Sequence, residues 1–152
     1  MLNNNSVVRM ATKQDVSAIV KLLEQGKLNA TGIEQHIENF LVVEQTEPRR
    51  IIGTAGLEIS DEKRGLLRSL ALDSTYLEAN ALMELVRILL AFAVQKGVQE
   101  IYLLTPSTSF FEFFGFEAIE HTDTPASIQQ SAHFRQAKTD LSTVMVYQTR
   151  KK

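Results

Sequence analysis

Arg68 interrupts an apolar segment of the sequence, and this position makes it a candidate for binding or catalysis. Residues 66–72 read LLRSLAL, a pattern that predicts a β-strand. Because side chains alternate along a strand, Arg68 is expected on the same face as Leu66, Leu70 and Leu72. Its guanidinium could hold a carboxylate or another oxyanion through two parallel hydrogen bonds. It could equally form an ion pair with Glu58 on the neighbouring predicted strand, and the sequence leaves both roles open.

Glu58 also has two candidate roles. Besides pairing with Arg68, its carboxylate could act as a general base through a bound water. The three histidines are His36, His121 and His133, and their spacing does not indicate a metal site. We therefore predict no metal centre.

The strand that carries the arginine opens the unit around which the chain is organised, residues 66–116. A turn over residues 73–78 leads into an apolar helix, residues 79–96, which a glycine ends before a second strand over residues 98–105. Two strands joined by a helix in this way must pair in parallel, through a right-handed crossover. The turn lies at the positive end of the helix, where such units commonly bind anions, yet it contains no glycine.

The crossover helix is apolar on nearly every side. One face carries Leu82, Leu85, Val86, Leu89 and Ala93 at helical spacing. The opposite face is also largely apolar, with Met83, Ile88, Leu90, Phe92 and Val94. In a small domain the second face could be covered by another protomer, so a homodimer is predicted.

Composition limits the class of protein. The 152 residues fit one domain, residues 1–152, with 44% hydrophobic and 22% charged residues and a net charge of −2. No basic stripe indicates a nucleic-acid partner, and zero cysteines exclude disulfides, thiolate metal sites and a cysteine nucleophile. The N-terminal residues lack a signal-peptide pattern, and the longest apolar run is too short to cross a bilayer. A soluble, cytoplasmic protein without a membrane partner is expected.

The flanking segments complete a predicted mixed α/β fold. Thr12 with Asp15 and Thr31 with Glu34 resemble capping boxes that open two helices in the first half. Further strands are predicted at residues 7–10, 40–44, 50–60, 116–119 and 144–148, and short helices at residues 107–114 and 124–131. Gly53 and Gly56 lie inside a predicted strand, where they indicate a bulge or a close backbone approach.

This order of elements resembles that of the GNAT family of acetyl-CoA-dependent N-acetyltransferases. The local sequence is similar at VRMA (residues 8–11), LALD (70–73) followed by a tyrosine, KGV (96–98), YLLT (102–105) and FFEFFGF (110–116). Within the family, GLE (56–58), LLRSLA (66–71) and TPASI (124–128) are most similar to the N-acetyltransferases of bacterial arsenic-resistance operons. The tail is also similar to the acetyltransferase domain of N-acetylglutamate synthases. The resemblance implies a GNAT-like fold with a mixed central sheet of about seven strands flanked by helices.

The resemblance also implies an acetyl-CoA site. In the family, the strand end that matches Leu70, Ala71 and Leu72 pairs with the pantetheine arm, and the next turn holds the pyrophosphate. The turn residues that correspond are Leu77, Glu78, Ala79, Asn80, Ala81 and Leu82. The family's motif, Arg/Gln-x-x-Gly-x-Gly/Ala, falls on Leu77, Asn80 and Leu82, so this copy is degenerate. Asn can replace glycine in a left-handed conformation, but Leu82 would crowd the groove. Acetyl-CoA binding is expected to persist, weakened or shifted, and loss of binding is the alternative.

The family's acid and base positions carry residues that cannot transfer protons. Phe111 stands where many members have a tyrosine, although it can still line the cofactor site, and Leu66 stands at the position of a glutamate. The acid would then be Ser107, Thr108, Ser109 or a water, and we take Ser109 as the candidate.

By the same resemblance, the face that carries Arg68 points toward the acceptor, and His133 lies where the tail could border the acceptor pocket. The predicted function is N-acetyl transfer to a small, amino-acid-like amine. A catalytically degenerate binding or regulatory module is the alternative.

Overall fold

The computed structural model describes residues 5–60, 62–137 and 142–149. Seven strands form one mixed sheet in the order β1-β2-β3-β4-β5-β7-β6. They are β1 Ser6–Met10, β2 Phe40–Thr46, β3 Arg49–Ile59, β4 Arg64–Leu72, β5 Glu100–Thr105, β6 Glu117–Ile119 and β7 Thr143–Gln148. β4 and β5 pair in parallel, and the other neighbouring pairs are antiparallel. The predicted seven-stranded mixed sheet and its central crossover are confirmed.

Five α-helices are present in the described residues: α1 Val16–Gln25, α2 Asn80–Gln95, α3 Thr108–Glu112, α4 Ala126–Gln129 and α5 Ala132–Ala137. Helix α5 was not predicted. The short helix predicted after Thr31 forms as a 3-10 helix, Glu34–Asn39, but the predicted capping box is wrong, because this helix has no side-chain cap. Gly32 has a φ of 76°, which no α-helix accommodates, and the Thr31 hydroxyl bonds to Gln136 at 2.8 Å.

The helices cover the sheet in two layers, and side chains of β2 alternate between them. Leu41 and Val43 belong to the core cluster beneath α2 and α3, whereas Phe40 and Val42 belong to the cluster beneath α1. Helices α4 and α5 lie on the α1 side, where Ile128 and Phe134 pack on a third cluster. The sheet therefore has two buried faces, which explains the nearly continuous apolar stretches in its central strands.

Helix α2 buries the face that its sequence pattern predicted, with Leu85, Val86, Leu89 and Ala93 covered. Its second face is partly covered within the chain, because Ile88, Leu90 and Phe92 pack against the same core. Val94 remains 55% exposed. The homodimer thus stays a prediction. None of the described helices has the length and apolar character needed to traverse a bilayer.

Close backbone approach explains the glycines inside β3. A Cβ added to Gly56 would lie 2.4 Å from the Phe40 ring, and one added to Gly53 would lie 2.9 Å from Leu72. The prediction of a close approach at these two positions is confirmed. Phe40 itself is completely buried, so the missing side chain at position 56 makes room for a large core ring.

Candidate functional site

A β-bulge lies in β4 directly after Arg68. Gly56 of β3 pairs with Arg68, whereas Thr54 pairs with Ala71, so β4 contains one extra residue over this interval. Ser69 adopts a left-handed conformation at the irregularity, with a φ of 61°.

The bulge reverses the alternation of side chains along β4. Leu66 packs beside α4 and α5, whereas Leu70 and Leu72 pack on the opposite cluster, beneath α2. The prediction that Arg68 shares a face with all three leucines is therefore wrong for the last two. The physical reason is the inserted residue, which shifts the two-residue period by one.

β4 and β5 diverge after Leu66, just before the bulge, and leave a cleft between them. Their last parallel pair joins Leu66 to Tyr102, while β5 continues to pair with β7 as far as Thr105. The edge of β4 that faces β5 beyond this point has no strand partner among the described residues. A cleft of about 660 Å³ occupies the gap. Its walls come from both faces of the sheet, with Leu82, Phe110 and Phe111 on the α2 side and Lys27, His133 and Gln136 on the α5 side.

The described lining of the cleft contains two cationic side chains and no carboxylate. Lys27 and Arg68 line it, and no Asp or Glu of the described chain does so. Lys27 forms no ion pair with any described residue. The other polar lining residues are Asn29, Ser69, Thr105, Ser107, His133 and Gln136. A cleft of this composition favours anionic groups.

Arg68 joins three parts of the fold. Its Nη1 donates to Glu58 Oε2 at 2.9 Å, its Nε to Ser69 Oγ at 2.9 Å, and its Nη2 to the carbonyl oxygen of Asn29 at 3.2 Å. Burial lowers the pKa of Arg68, and Glu58 opposes this shift by favouring the charged guanidinium. The side chain has no solvent-exposed surface. The ion pair, one of the two predicted roles, is therefore present, and direct contact with a ligand would require a partner to move.

Glu58 lies behind this ion pair, in a second cavity of about 320 Å³. Its Oε1 accepts a hydrogen bond from Ser131 Oγ at 2.6 Å, and His36 Nε2 lies 3.8 Å from the same oxygen. Both carboxylate oxygens are thus engaged, and Glu58 is not a lining residue of the main cleft. A base role for Glu58 stays a prediction.

His133 lies in the wall of the main cleft, on α5. Its Nδ1 is 3.3 Å from the side-chain nitrogen of Asn29, whose side-chain oxygen accepts the backbone N–H of Thr31 at 2.9 Å. Burial and the nearby Arg68 lower the pKa of His133 to about 4, with Glu58 opposing them. The imidazole is therefore neutral at pH 7.

Three backbone N–H groups are available where the turn meets α2. Those of Glu78, Ala79 and Asn80 donate no hydrogen bond within the part of the chain that the structure describes, and all three residues are exposed. The N–H groups of Leu77, Ala81 and Leu82 instead donate to carbonyl oxygens of the turn. Of the six residues predicted to hold the pyrophosphate, three therefore have a backbone N–H group available to donate a hydrogen bond to it.

Apart from the exposed residues 78–80, the side chains of the predicted cofactor residues divide into two groups. Leu70, Leu82 and Phe111 line the cleft. Ala71 packs beneath α1, and the side chains of Leu72, Leu77 and Ala81 belong to the core beneath α2. Only the backbone of this second group could face a ligand.

Ser109 is exposed and does not line the cleft, whereas Ser107 does. Helix α3 directs Phe110 and Phe111 into the cleft, so the side chain of Ser109 faces away from the cleft. The predicted acid role of Ser109 is not supported by this placement.

Sequence reasoning missed Lys27 and Asn29, which lie in the loop after α1. The loop reads GKLNATG, a polar turn composition without a binding motif. Only this composition could have indicated a site in the loop. Asn29 contacts Arg68 and His133, which lie 39 and 104 positions away along the chain, so no local pattern shows these contacts.

Comparison with known proteins identifies the fold and the enzyme class. A family model described as the acetyltransferase (GNAT) family matches residues 14–116. The chain belongs to this family.

A relative named amino-acid acetyltransferase, from Mycobacterium tuberculosis, is 29% identical over 129 residues, covering 80% of this chain and 74% of that protein. Rv2747 of the same organism, solved in complex with CoA and NLQ, has a TM-score of 0.76 at 24% identity and covers 93% of this chain and 98% of its own. N-acetylglutamate synthase from Neisseria gonorrhoeae, complexed with coenzyme A and N-acetyl-glutamate, also has a TM-score of 0.76, at 19% identity. That match covers 98% of this chain and 36% of the synthase chain.

Membership makes the protein an acetyltransferase enzyme, and acetyl-CoA is the acetyl donor of the family. The chain fits this donor, because the cleft has an unpaired strand edge and the start of α2 has three N–H groups that donate to no described residue. No cluster of three or more potential metal ligands occurs among the described residues.

Proposed function

We propose that this acetyltransferase moves the acetyl group of acetyl-CoA to the amine of a small, amino-acid-like acceptor. One observation carries the proposal: the cleft between β4 and β5 is lined from both faces of the sheet, and its described lining includes the cation of Lys27 but no carboxylate. Two substrates can then approach one point from opposite faces, and both can be anionic.

The donor is assigned to the α2 side of the cleft. The free edge of β4 beyond Leu66 would pair with the pantetheine arm as an added strand does. The N–H groups of Glu78, Ala79 and Asn80 would receive the pyrophosphate at the positive end of α2. Leu82 lines the cleft on this side, where we expect its side chain to weaken or shift donor binding.

The acceptor is assigned to the α5 side. Lys27 supplies a positive charge there that pairs with no described residue, and Asn29, His133 and Gln136 supply neutral polar groups. This set suits a carboxylate attached to the reacting amine. The name of the mycobacterial relative and the N-acetyl-glutamate in the gonococcal structure support an amino-acid acceptor.

The chemistry requires little from the side chains of this chain. When acetyl-CoA is bound, the neutral amine forms a carbon–nitrogen bond to its acetyl carbonyl and the carbon–sulfur bond breaks; the nitrogen loses one proton, and the departing CoA thiolate takes up one. Holding the two reactants in the cleft is worth several kcal/mol, about 7–11 kcal/mol in the best cases. A backbone N–H near Leu72 is the predicted donor to the developing oxyanion. Any proton donor from α3 would be Ser107, because Ser109 lies outside the cleft.

Calorimetric titration with acetyl-CoA tests the first half of this proposal. We expect saturable heat and a rise in the melting temperature. In an activity assay we expect product with amino acids but not with analogues that lack the carboxylate charge. If millimolar acetyl-CoA gave neither heat nor a thermal shift, the enzymatic proposal would be abandoned.

A binding or regulatory module remains the second candidate, and one observation favours it. No Asp, Glu, Tyr or Cys of the described chain lines the cleft. Binding of acetyl-CoA without transfer to any amine in a broad panel would establish this alternative.

We further propose that the protein is most similar to the arsenic-operon acetyltransferases. We also propose that residues 1–152 form a single domain and that the protein is a homodimer. Sedimentation at micromolar concentration decides the last, and a profile containing only monomer rejects it.

A further inference from the structure

The environment of Asn29 determines which nitrogen of His133 carries the proton. The side-chain oxygen of Asn29 already accepts the N–H of Thr31, so its side-chain nitrogen is the atom 3.3 Å from His133 Nδ1. An amide nitrogen only donates, so Nδ1 of the neutral ring must accept. The ring proton consequently lies on Nε2.

We propose that His133 is a specificity-determining residue, which donates its Nε2–H to the carboxylate of the amino-acid acceptor. The proposal rests on the proposed function, since it names a contact within the same site. Asn29 connects this residue to the rest of the site, because its backbone oxygen accepts from Arg68 while its side chain holds the imidazole. Lys27 lines the same side of the cleft and would give the carboxylate its charge partner.

His133 cannot serve as the general base in this arrangement. Its Nδ1 is occupied by Asn29, and its Nε2 already carries a proton. Among the residues that the structure describes, the charged groups around the ring are Arg68 on β4, Glu58 on β3 and Lys27 in the loop after α1. The first of these, together with burial, keeps the ring uncharged at neutral pH, so its donor capacity stays constant there.

Two substitutions at one position separate donation from proton transfer. His133→Phe keeps an aromatic ring without a donor, whereas His133→Gln keeps a donor that does not titrate. We expect His133→Phe to raise the acceptor KM about 10- to 100-fold, the cost of a lost hydrogen bond to a charged group, with kcat changed much less. His133→Gln should restore most of the KM. Arg135→Gln on the same helix, outside the cleft, is the matched control.

The acceptor can be varied in the same way. An amino acid and its α-carboxamide differ in the carboxylate alone, so the unmodified protein should prefer the acid, and His133→Phe should reduce that preference. An equal loss on both acceptors, or a fall in kcat alone in both variants, would overturn the proposal.

Ring 15N NMR of the protein gives a readout that does not depend on catalysis. A spectrum showing the proton on Nδ1 would reject the proposal even in an active enzyme. If the protein acetylates no amine, the proposed function fails, and titration of the same acid and amide in the presence of CoA still decides the binding claim. Equal affinity for the two ligands would reject it.

Discussion

Arg68 and Glu58 form a buried ion pair across neighbouring strands, with 2.9 Å between Nη1 and Oε2. The arginine side chain is fully covered and that of the glutamate is 12% exposed. The pair forms the wall between the main cleft and the second cavity, and the same guanidinium holds the bulge at Ser69 and the loop at Asn29.

Breaking the pair at the arginine is expected to destabilise the fold. Arg68→Leu should lower the free energy of unfolding by about 3–5 kcal/mol, because Glu58 would be left as an uncompensated buried charge. Urea unfolding at pH 7 measures this. In the double variant with Glu58→Leu the loss should largely disappear. A single variant no less stable than the exposed-site control Arg135→Gln would contradict the structural role.

The rate of acetyl transfer is expected to follow the ionisation of the acceptor. The described lining of the cleft has no carboxylate, and His133 acts there as a donor, so only the neutral amine is expected to react and log kcat/KM should rise with pH at unit slope up to the pKa of the acceptor amine. Initial rates with two acceptors of different amine pKa provide the measurement. The inflection should move with the acceptor. An inflection that stays at one pH for both acceptors would reveal a base on the protein.

Stability is expected to fall in acid through the cluster around Arg9. This arginine donates to both oxygens of Asp15 at 2.8 and 2.9 Å, and to Glu44 at 2.9 Å. These bonds hold the pKa of Asp15 below its ordinary 3.8 and that of Glu44 below its ordinary 4.5. Above those values the carboxylates are ionised in both the folded and unfolded chains, and the contribution to stability is complete. As the pH falls below them, the unfolded chain takes up protons first and the contribution is lost.

Asp15→Asn tests this dependence. The variant should be less stable than the parent at pH 7, and the difference should shrink as urea unfolding is repeated toward pH 3. Glu24→Gln, on the exposed side of α1, should give a curve parallel to that of the parent. A constant deficit for Asp15→Asn at all pH values would show that Asp15 contributes no pH-dependent stability.

The contact between Gly56 and Phe40 predicts a strong size limit. Gly56→Ala places a methyl group 2.4 Å from the buried ring and should cost about 1–3 kcal/mol through forced repacking. Thermal unfolding measures the effect, and adding Phe40→Leu should recover part of it. Gly26→Ala is the control, since its added carbon would meet its nearest neighbours at 3.7 Å. Equal melting temperatures for the two glycine variants would argue against the close approach.

The sequence was most informative where local patterns agree with the final contacts. The apolar stripe of α2 and the parallel crossover were both predicted, because helical periodicity and connection length depend on neighbouring residues. The close approach at Gly53 and Gly56 was foreseen for the same reason, since a glycine inside a strand indicates crowding. Thr31 shows the limit of such patterns, because its hydroxyl bonds to Gln136 on α5 instead of capping a helix.

By itself, the sequence determined the order of elements and the likeness to the GNAT family. It also limited Arg68 to two candidate roles, one of which was the ion pair with Glu58. Only the tertiary structure decided that a bulge at Ser69 turns Leu70 and Leu72 to the other face of the sheet. It also brought Lys27, Asn29 and His133 into one cleft, although His133 lies more than a hundred positions from the other two along the chain. Strand periodicity is a local property, whereas an inserted residue in a strand and a cleft between diverging strands depend on the pairing of distant segments.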